Sequence, residues 1–185
     1  IFYKTLNMLL SQAADAVRDH EVMIRIEHLD ELSPQNVSEG LRKLAAVSDI
    51  VGLVSTEHPI VSATIEQLAE RNIKTFALIS QLTAKCNVGY IGIDQWKVGR
   101  TAGWAFSNLC KTPGKIGILV GSHRYRNQET NESGCRSYFR EHASDFELLE
   151  AQSTFETTSI ARELTESILE RHPDLIGLYV SGGGI

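Results

Sequence analysis

A short basic segment, SHRYRNQ at residues 122–128, has the side chains best suited to binding an anion. His123, Arg124 and Arg126 could form charge-assisted hydrogen bonds to a phosphate or a carboxylate, and a guanidinium can donate two parallel N–H bonds to either group. The same residue types also occur in basic loops that only face solvent, so the sequence leaves both interpretations open.

A run of glycines, SGGGI at residues 181–185, is the second candidate anion site. Backbone N–H groups of Gly182, Gly183 and Gly184 could point at an anion. The alternative is a turn that needs positive φ values or a close backbone approach. The run itself does not distinguish the two.

Motifs of the common enzyme and metal sites are missing from the sequence. It contains no GxxxxGK[ST], GxGxxG, HExxH or GxSxG, and its three cysteines are widely spaced without a CxxC. Residues 27–31, EHLDE, combine metal-ligand types, but a solvated loop explains them more simply. We therefore expect a protein that is not an enzyme and holds no metal or cofactor. A hydrolase or isomerase stays as a distant alternative, because fold does not determine function.

The composition excludes two further classes of protein. A formal net charge of -5 without a Lys/Arg block argues against a nucleic-acid surface in these residues. Apolar runs such as IVGLV at 50–54 are far shorter than a membrane span, and no charged-then-apolar leader precedes them. Unpaired, scattered cysteines weakly favour a reducing compartment, so the expected location is the cytoplasm.

Hydrophobic patterning predicts alternating strands and helices. Leu6, Leu10 and Ala13 recur at helical spacing within residues 3–19, and Ser33 followed by Pro34 is typical of a helix start. The strands are predicted at residues 22–26, 50–55, 74–80, 89–93, 116–122, 146–151 and 175–181. The helices predicted between them are one at 33–47, one carrying Val61, Ile65 and Leu68, one carrying Val98, Ala102 and Leu109, one near 127–142, and one carrying Ile160, Leu164 and Ile168.

This alternation predicts an α/β fold with doubly wound parallel sheets, because each crossover helix covers one sheet face. Strand length drops and polarity rises in GYIGIDQWKVGR at 89–100. We therefore predict two lobes, residues 1–93 and 94–185, with a ligand cleft between them. The series opens on a helix and ends on a strand, so we expect a fragment truncated at both ends.

Five stretches in this order resemble the effector-binding domain of the lactose/galactose-repressor family, which shares its fold with periplasmic sugar-binding proteins. The stretches are IFYKTLNMLLSQAADAV, IVGLVSTEHP, YIGIDQWKVGRTAG, GKIGILVGS with NESGCRSYF, and HPDLIGLYVSGGGI. No single stretch is specific. Their order and spacing carry the resemblance, which covers nearly the whole chain.

The resemblance implies a bacterial transcription regulator. A sugar, a polyol or a sugar derivative would close the lobes, and operator DNA would be bound by a helix-turn-helix headpiece upstream of residue 1. A homodimer is implied, with Met8 and Leu9 of the first helix as a candidate dimer face. The alternative is a monomeric periplasmic receptor of a sugar transport system, which an export leader upstream would distinguish.

The resemblance also implies ligand contacts. Phe2 and Tyr3 match an aromatic pair that stacks on a sugar ring, Asp94 matches an acidic residue that accepts hydrogen bonds from sugar hydroxyls, and Phe155 lies near an aromatic position of the second lobe. An alternative for Asp94 is a role in bracing the hinge.

Three family positions depart from the pattern, and they put an ordinary hexose in doubt. Asn131 replaces an arginine, Ile79 and Ser80 replace an Asp-Arg pair, and Gly182 and Gly183 replace an Asn-Asp pair. The basic segment could compensate by meeting an anionic ligand. The predicted ligand-binding residues are Phe2, Tyr3, Ser80, Asp94, His123, Arg124, Asn131, Phe155, Ser181 and Gly182.

Overall fold

The computed structural model describes residues 2–29, 31 and 33–182, and for Phe2 it describes the backbone alone. The helices are α1 (Phe2–Ala16), α2 (Pro34–Ala45), α3 (Pro59–Glu70), α4 (Gln95–Leu109), α5 (Arg126–His142) and α6 (Thr158–Arg171). The strands are β1 (Ile50–Leu53), β2 (Lys74–Leu78), β3 (Gly89–Ile91), β4 (Lys115–Val120), β5 (Glu147–Leu148), β6 (Gln152–Ser153) and β7 (Leu175–Ser181).

The strands form two sheets, and every strand pair is parallel. The first sheet has the order β1-β2-β3. In the second sheet, β4 pairs with β7, β5 and β6. The predicted class, α/β with parallel sheets, is confirmed.

Strand β4 forms the interior of the second sheet. Ile116, Ile118, Leu119 and Val120 have no exposed surface. Such a continuous apolar run is typical of a parallel strand that is covered on both faces, and each buried aliphatic side chain contributes about 1.5–3 kcal/mol. A separate core lies beneath α2 and α3 against β1 and β2.

Two helix starts follow from their capping residues. Ser33 Oγ accepts the Asn36 N–H at 3.3 Å, with Pro34 in the first turn, as the sequence predicts. Asp94 Oδ1 accepts the Lys97 N–H at 3.1 Å and so begins α4. Each cap satisfies a backbone donor that the first helical turn leaves without an intrahelical partner.

The strand predicted at residues 22–26 is wrong. Residues 21–29 have no regular secondary structure, and Met23 is 87% exposed. A strand is stable only when a neighbour completes its hydrogen-bond ladder, and no described strand pairs with this segment. Apolar residue types alone therefore misled the prediction.

The strand predicted at residues 146–151 is interrupted. Residues 147–148 pair with the start of β4, and residues 152–153 pair with its end. The residues between them form no ladder with β4, so within the predicted range only β5 is a strand, and β6 begins just beyond it.

Helices α4 and α5 pack backbone against backbone through two glycines. A Cβ added at Gly99 would lie 1.9 Å from the carbonyl oxygen of Asn131. A Cβ added at Gly134 would lie 2.4 Å from the carbonyl oxygen of Trp96. Only glycine fits at either position, and the contact fixes the start of α5 beside the start of α4.

Replacing Gly99 tests this contact. Gly99→Ala should lower the free energy of unfolding by about 1–3 kcal/mol or more, because overpacking outweighs the gain of about 1 kcal/mol in helix propensity. Gly40→Ala in α2 is the matched control, since its new Cβ would meet only the Leu29 side chain, at 3.3 Å. Urea unfolding of both variants measures the difference. If Gly99→Ala is as stable as the wild type, the helices do not approach as closely as described.

Candidate functional site

A cavity of about 660 Å³ lies between the carboxyl ends of the two sheets. Its first wall consists of Val54, Ile79 and Ser80, which follow β1 and β2, together with Tyr3 of α1. Its second wall consists of Tyr179, Val180, Ser181 and Gly182 at the end of β7. This position and volume are typical of ligand sites in open α/β sheets.

The start of α5 forms the floor of this cavity. Tyr125, Asn127, Gln128 and Asn131 all line it, as does Glu156 from the loop before α6. The glycine contact between α4 and α5 holds this helix start in place. The positions of Asn127, Gln128 and Asn131 are therefore fixed by the backbone contact between α4 and α5.

Five of the predicted ligand residues meet in this cavity: Tyr3, Ser80, Asn131, Ser181 and Gly182. The prediction did not include Asn127, Gln128, Glu156 or Tyr179. A signal for Asn127 and Gln128 was present, because they open the helix that follows the most apolar strand. For Glu156 the sequence held none.

The polar side chains of the floor are linked by hydrogen bonds. Asn131 Nδ2 donates to Ser181 Oγ at 3.2 Å, across from α5 to β7. Gln128 is nearly fully buried; its Oε1 accepts the Ser122 N–H at 2.8 Å and its Nε2 donates to Glu156 Oε1 at 3.2 Å. Both ends of Gln128 are thus occupied.

Two amide oxygens at the floor have no partner. Oδ1 of Asn127 and Oδ1 of Asn131 are buried and accept no hydrogen bond within the described structure. Each such atom costs about 1–3 kcal/mol, and native proteins contain few of them. A ligand hydroxyl or ammonium that donated to these atoms would recover that cost.

The loop after β2 holds a strained residue against the cavity. Ile79 has φ 66°, and the Ser80 N–H donates to the Leu78 carbonyl at 2.6 Å. Positive φ is a genuine outlier for a β-branched residue. The Ile79 carbonyl accepts the Tyr90 hydroxyl and Gln95 Nε2, each at 3.1 Å, and these bonds hold the turn.

A second strained turn borders the cavity at Phe155 and Glu156, with φ 52° and 55°. Sparsely populated backbone conformations of this kind persist where the surrounding structure imposes them, and they cluster at functional sites. This turn sets the Glu156 carboxylate beside the floor of the cavity.

Tyrosine side chains carry the hydroxyl donors of the site. Burial raises the pKa of Tyr3 and of Tyr125, and the Glu156 carboxylate raises the pKa of both further. Both phenols are therefore protonated at neutral pH and can donate.

Three contacts join the two walls across the cavity rim. Ser80 Oγ accepts the Asn127 N–H at 3.3 Å, and the Glu57 N–H donates to the Arg124 carbonyl at 3.3 Å. Arg126 lies 3.6 Å from the Glu57 carboxylate. The loops of the first sheet are thus tied to the start of α5.

Asp94 lies outside this cavity. Besides capping α4, its carboxylate lies 3.5 Å from Lys97 Nζ. It lines a neighbouring cavity of about 460 Å³ with Trp96, Arg126 and others. The arrangement shows a helix-start role for Asp94.

Three further predicted residues do not line the main cavity. His123 Nε2 lies 2.8 Å from the Glu132 carboxylate, Arg124 is exposed, and Phe155 is 67% exposed. The side chain of Phe2 and the whole of Gly183 and Gly184 lie outside the described residues.

The part of the chain that the structure describes contains neither a membrane-spanning helix nor a metal-binding cluster. None of its helices has the length and apolarity needed to cross a bilayer. None of its groups of three His, Cys, Asp or Glu side chains is arranged to hold a metal ion.

Solved structures share the fold. An ABC transporter solute-binding protein from Burkholderia graminis, in complex with D-arabinose, superposes with a TM-score of 0.74 at 17% identity, covering 80% of this chain and 51% of that chain. GanP, a glucose-galactose binding protein from Geobacillus stearothermophilus, gives 0.70 at 23% identity, covering 80% and 53%. A Clostridium phytofermentas solute-binding protein with bound L-rhamnose gives 0.72 at 13% identity, covering 83% and 49%.

The chain spans about half the length of these structures. No curated protein matches it in sequence. A family model described as a periplasmic binding protein domain matches residues 35–185, which is most of the chain. The chain therefore belongs to the periplasmic binding protein domain family.

Proposed function

We propose that the protein binds a sugar or a polyol in the 660 Å³ cavity between the two sheets. The observation that carries this proposal is the pair of buried, unpartnered amide oxygens on Asn127 and Asn131. A ligand with many hydroxyl groups supplies the donors that these atoms lack. The sugars named in the titles of the structural neighbours support the same ligand class.

Each wall has a defined part in this binding. Tyr3 offers an aromatic surface, which in contact with a sugar ring gains area at low entropic cost. Ser80, Ser181 and Asn131 supply short polar groups at fixed positions. Because α5 and β7 are rigid elements, the ligand meets preorganised partners and little binding energy is lost in ordering them.

Ligand binding is proposed to favour the closed arrangement of two lobes, residues 1–93 and 94–185. The bonds Ser80–Asn127 and Glu57–Arg124 join these lobes in the described conformation. A ligand that contacts both walls binds this arrangement more tightly than an open one, and that difference in affinity is what shifts the population. No bond in the ligand is made or broken, so the proposed role is binding and not catalysis.

A transport receptor is the role that the comparisons favour. The solved neighbours are described as ABC transporter solute-binding or sugar-binding proteins, and none of those cited is a transcription regulator. The sequence-based expectation of a cytoplasmic regulator with a DNA-binding headpiece is supported by the repressor resemblance alone. The receptor is therefore the leading proposal, and the regulator is the second.

Oligomeric state distinguishes these two roles. We expect the full-length protein to sediment as a monomer at micromolar concentration, as a transport receptor would. Met8 and Leu9 are about half exposed on α1, and a regulator would bury them between two copies. A stable dimer that Met8→Lys dissociates would favour the regulator, especially if a helix-turn-helix precedes residue 1 in the gene.

A thermal-shift screen tests the ligand class. We expect the full-length protein to be stabilised by a pentose, hexose or polyol, because a ligand at about 100 times its dissociation constant adds roughly 2.7 kcal/mol to the free energy of unfolding. Amino acids and nucleobases are the controls and should give no shift. Stabilisation by those controls alone, with none by any sugar or polyol, would contradict the proposal.

Two substitutions test which cavity is used. Asn131→Ala should weaken sugar binding by at least tenfold, or about 1.4 kcal/mol, because it removes an acceptor at the floor. Asp94→Ser is the matched control: it keeps a capping hydroxyl for α4 while removing the carboxylate, and the dissociation constant should change less than twofold. Calorimetric titration measures both. The reverse pattern would place the sugar in the 460 Å³ cavity beside Asp94.

A further inference from the structure

The 660 Å³ cavity has an unusual balance of charge for a site beside a basic segment. Among its described lining residues, Glu156 is the one acidic side chain, and none is Lys, Arg or His. The basic segment at 122–128 is typical of an anion site, whereas this lining favours a cationic ligand.

The basic residues nearest the cavity are engaged elsewhere or face solvent. Arg126 pairs with Glu57 at 3.6 Å, and His123 lies 2.8 Å from Glu132. Arg124 is exposed and does not line the cavity. Glu156 is exposed, and among the described residues no basic side chain forms an ion pair with it, although the charge of Arg124 lowers the pKa of Tyr125 beside it.

Three tyrosines share the cavity with this carboxylate. The Glu156 carboxylate adds to the effect of burial in raising the pKa of the Tyr3 and Tyr125 phenols. Tyr179 lines the opposite wall. Tyrosine rings attract cations through their π electrons. A carboxylate that lines a cavity together with such rings suits an ammonium group better than it suits a neutral hydroxyl.

Two buried acceptors of the floor lack a donor. Asn127 Oδ1 and Asn131 Oδ1 are buried and unpartnered, while both ends of Gln128 and the Nδ2 of Asn131 are already in hydrogen bonds. An ammonium brings three donors and no acceptor. A phosphate or a carboxylate brings acceptors and meets Glu156 with a like charge.

We propose that this cavity selects an aminated sugar or polyol over its neutral parent and rejects sugar phosphates and sugar acids, with Glu156 as the residue that sets the selectivity. This inference rests on the proposed function, because it names the chemical class of ligand for the same site. Glu156 holds the ammonium, Gln128 orients the carboxylate through the bond to Oε1, and the two asparagines accept from the hydroxyl groups.

Matched ligands test the proposal on the full-length protein. The dissociation constants of glucose, galactose and mannose are measured by calorimetry against those of the corresponding 2-amino-2-deoxy sugars, gluconate and glucose 6-phosphate. We expect the best amino sugar to bind at least fivefold tighter than its parent, and the acid and the phosphate to bind more weakly than either. The preference should shrink as salt rises from about 20 mM to about 500 mM, because ions screen a partly exposed charge pair.

Glu156→Gln should reduce the amino-to-parent ratio to about one while the parent sugar binds within threefold of the wild-type constant. Glu129→Gln is the matched control: it makes the same chemical change at an exposed position of α5 that does not line the cavity, and the ratio should not move. The salt dependence in wild-type protein needs no variant, so the test holds even if Glu156→Gln folds poorly.

Four results would overturn the inference, and the last of them would overturn the proposed function as well. One is equal or tighter binding of the parent sugar, which would leave the proposed sugar-binding function intact. Another is a sugar phosphate or sugar acid as the tightest ligand, which would favour the Arg124 segment. The third is an unchanged preference in Glu156→Gln. Binding of no compound in the panel would overturn both the inference and the proposed function.

Discussion

The backbone contact between α4 and α5 is the constraint on which the candidate site depends. Gly99 and Gly134 let the two helices approach until each would-be Cβ meets a carbonyl oxygen of the other helix. This close approach determines where the first turns of α5 lie relative to the loops of the first sheet. Asn127 and Asn131 then face the cavity, and Ser80 reaches the Asn127 N–H. Without the glycines, the floor of the cavity would move away from its walls.

The charged residues in and beside the cavity determine which ligands it can hold. The residue types of the basic segment predict an anion site. In the folded chain, acidic side chains from outside the segment pair with two of its basic residues. Glu57 and Glu132 engage Arg126 and His123, and among its described lining residues the cavity keeps one carboxylate and no basic side chain. Glu156 enters the site only because two consecutive residues take positive φ values, which no feature of the local sequence predicts.

Most of the fold could be predicted, because parallel strands covered on both faces leave a strong pattern of apolar residues. The helix start at Ser33 and Pro34 and the buried run of β4 are examples. The strand at 22–26 could not be judged from its own residues, since a strand needs a partner. Of the site, Ser80 and Ser181 were predictable as residues at or just after strand ends, whereas Asn131 was named only through the repressor resemblance. Asp94, which the resemblance implies as a ligand contact, caps α4 and lines the neighbouring 460 Å³ cavity.

The central claim is that a sugar occupies the cavity between the sheets, and hydrogen–deuterium exchange with and without a bound sugar tests it most directly. Local protection reports which backbone segments a ligand stabilises. The account predicts slower exchange at residues 79–81, 125–131 and 180–182 in the presence of sugar, with little change at residues 94–97. Protection confined to residues 92–97, with none at the start of α5, would contradict it.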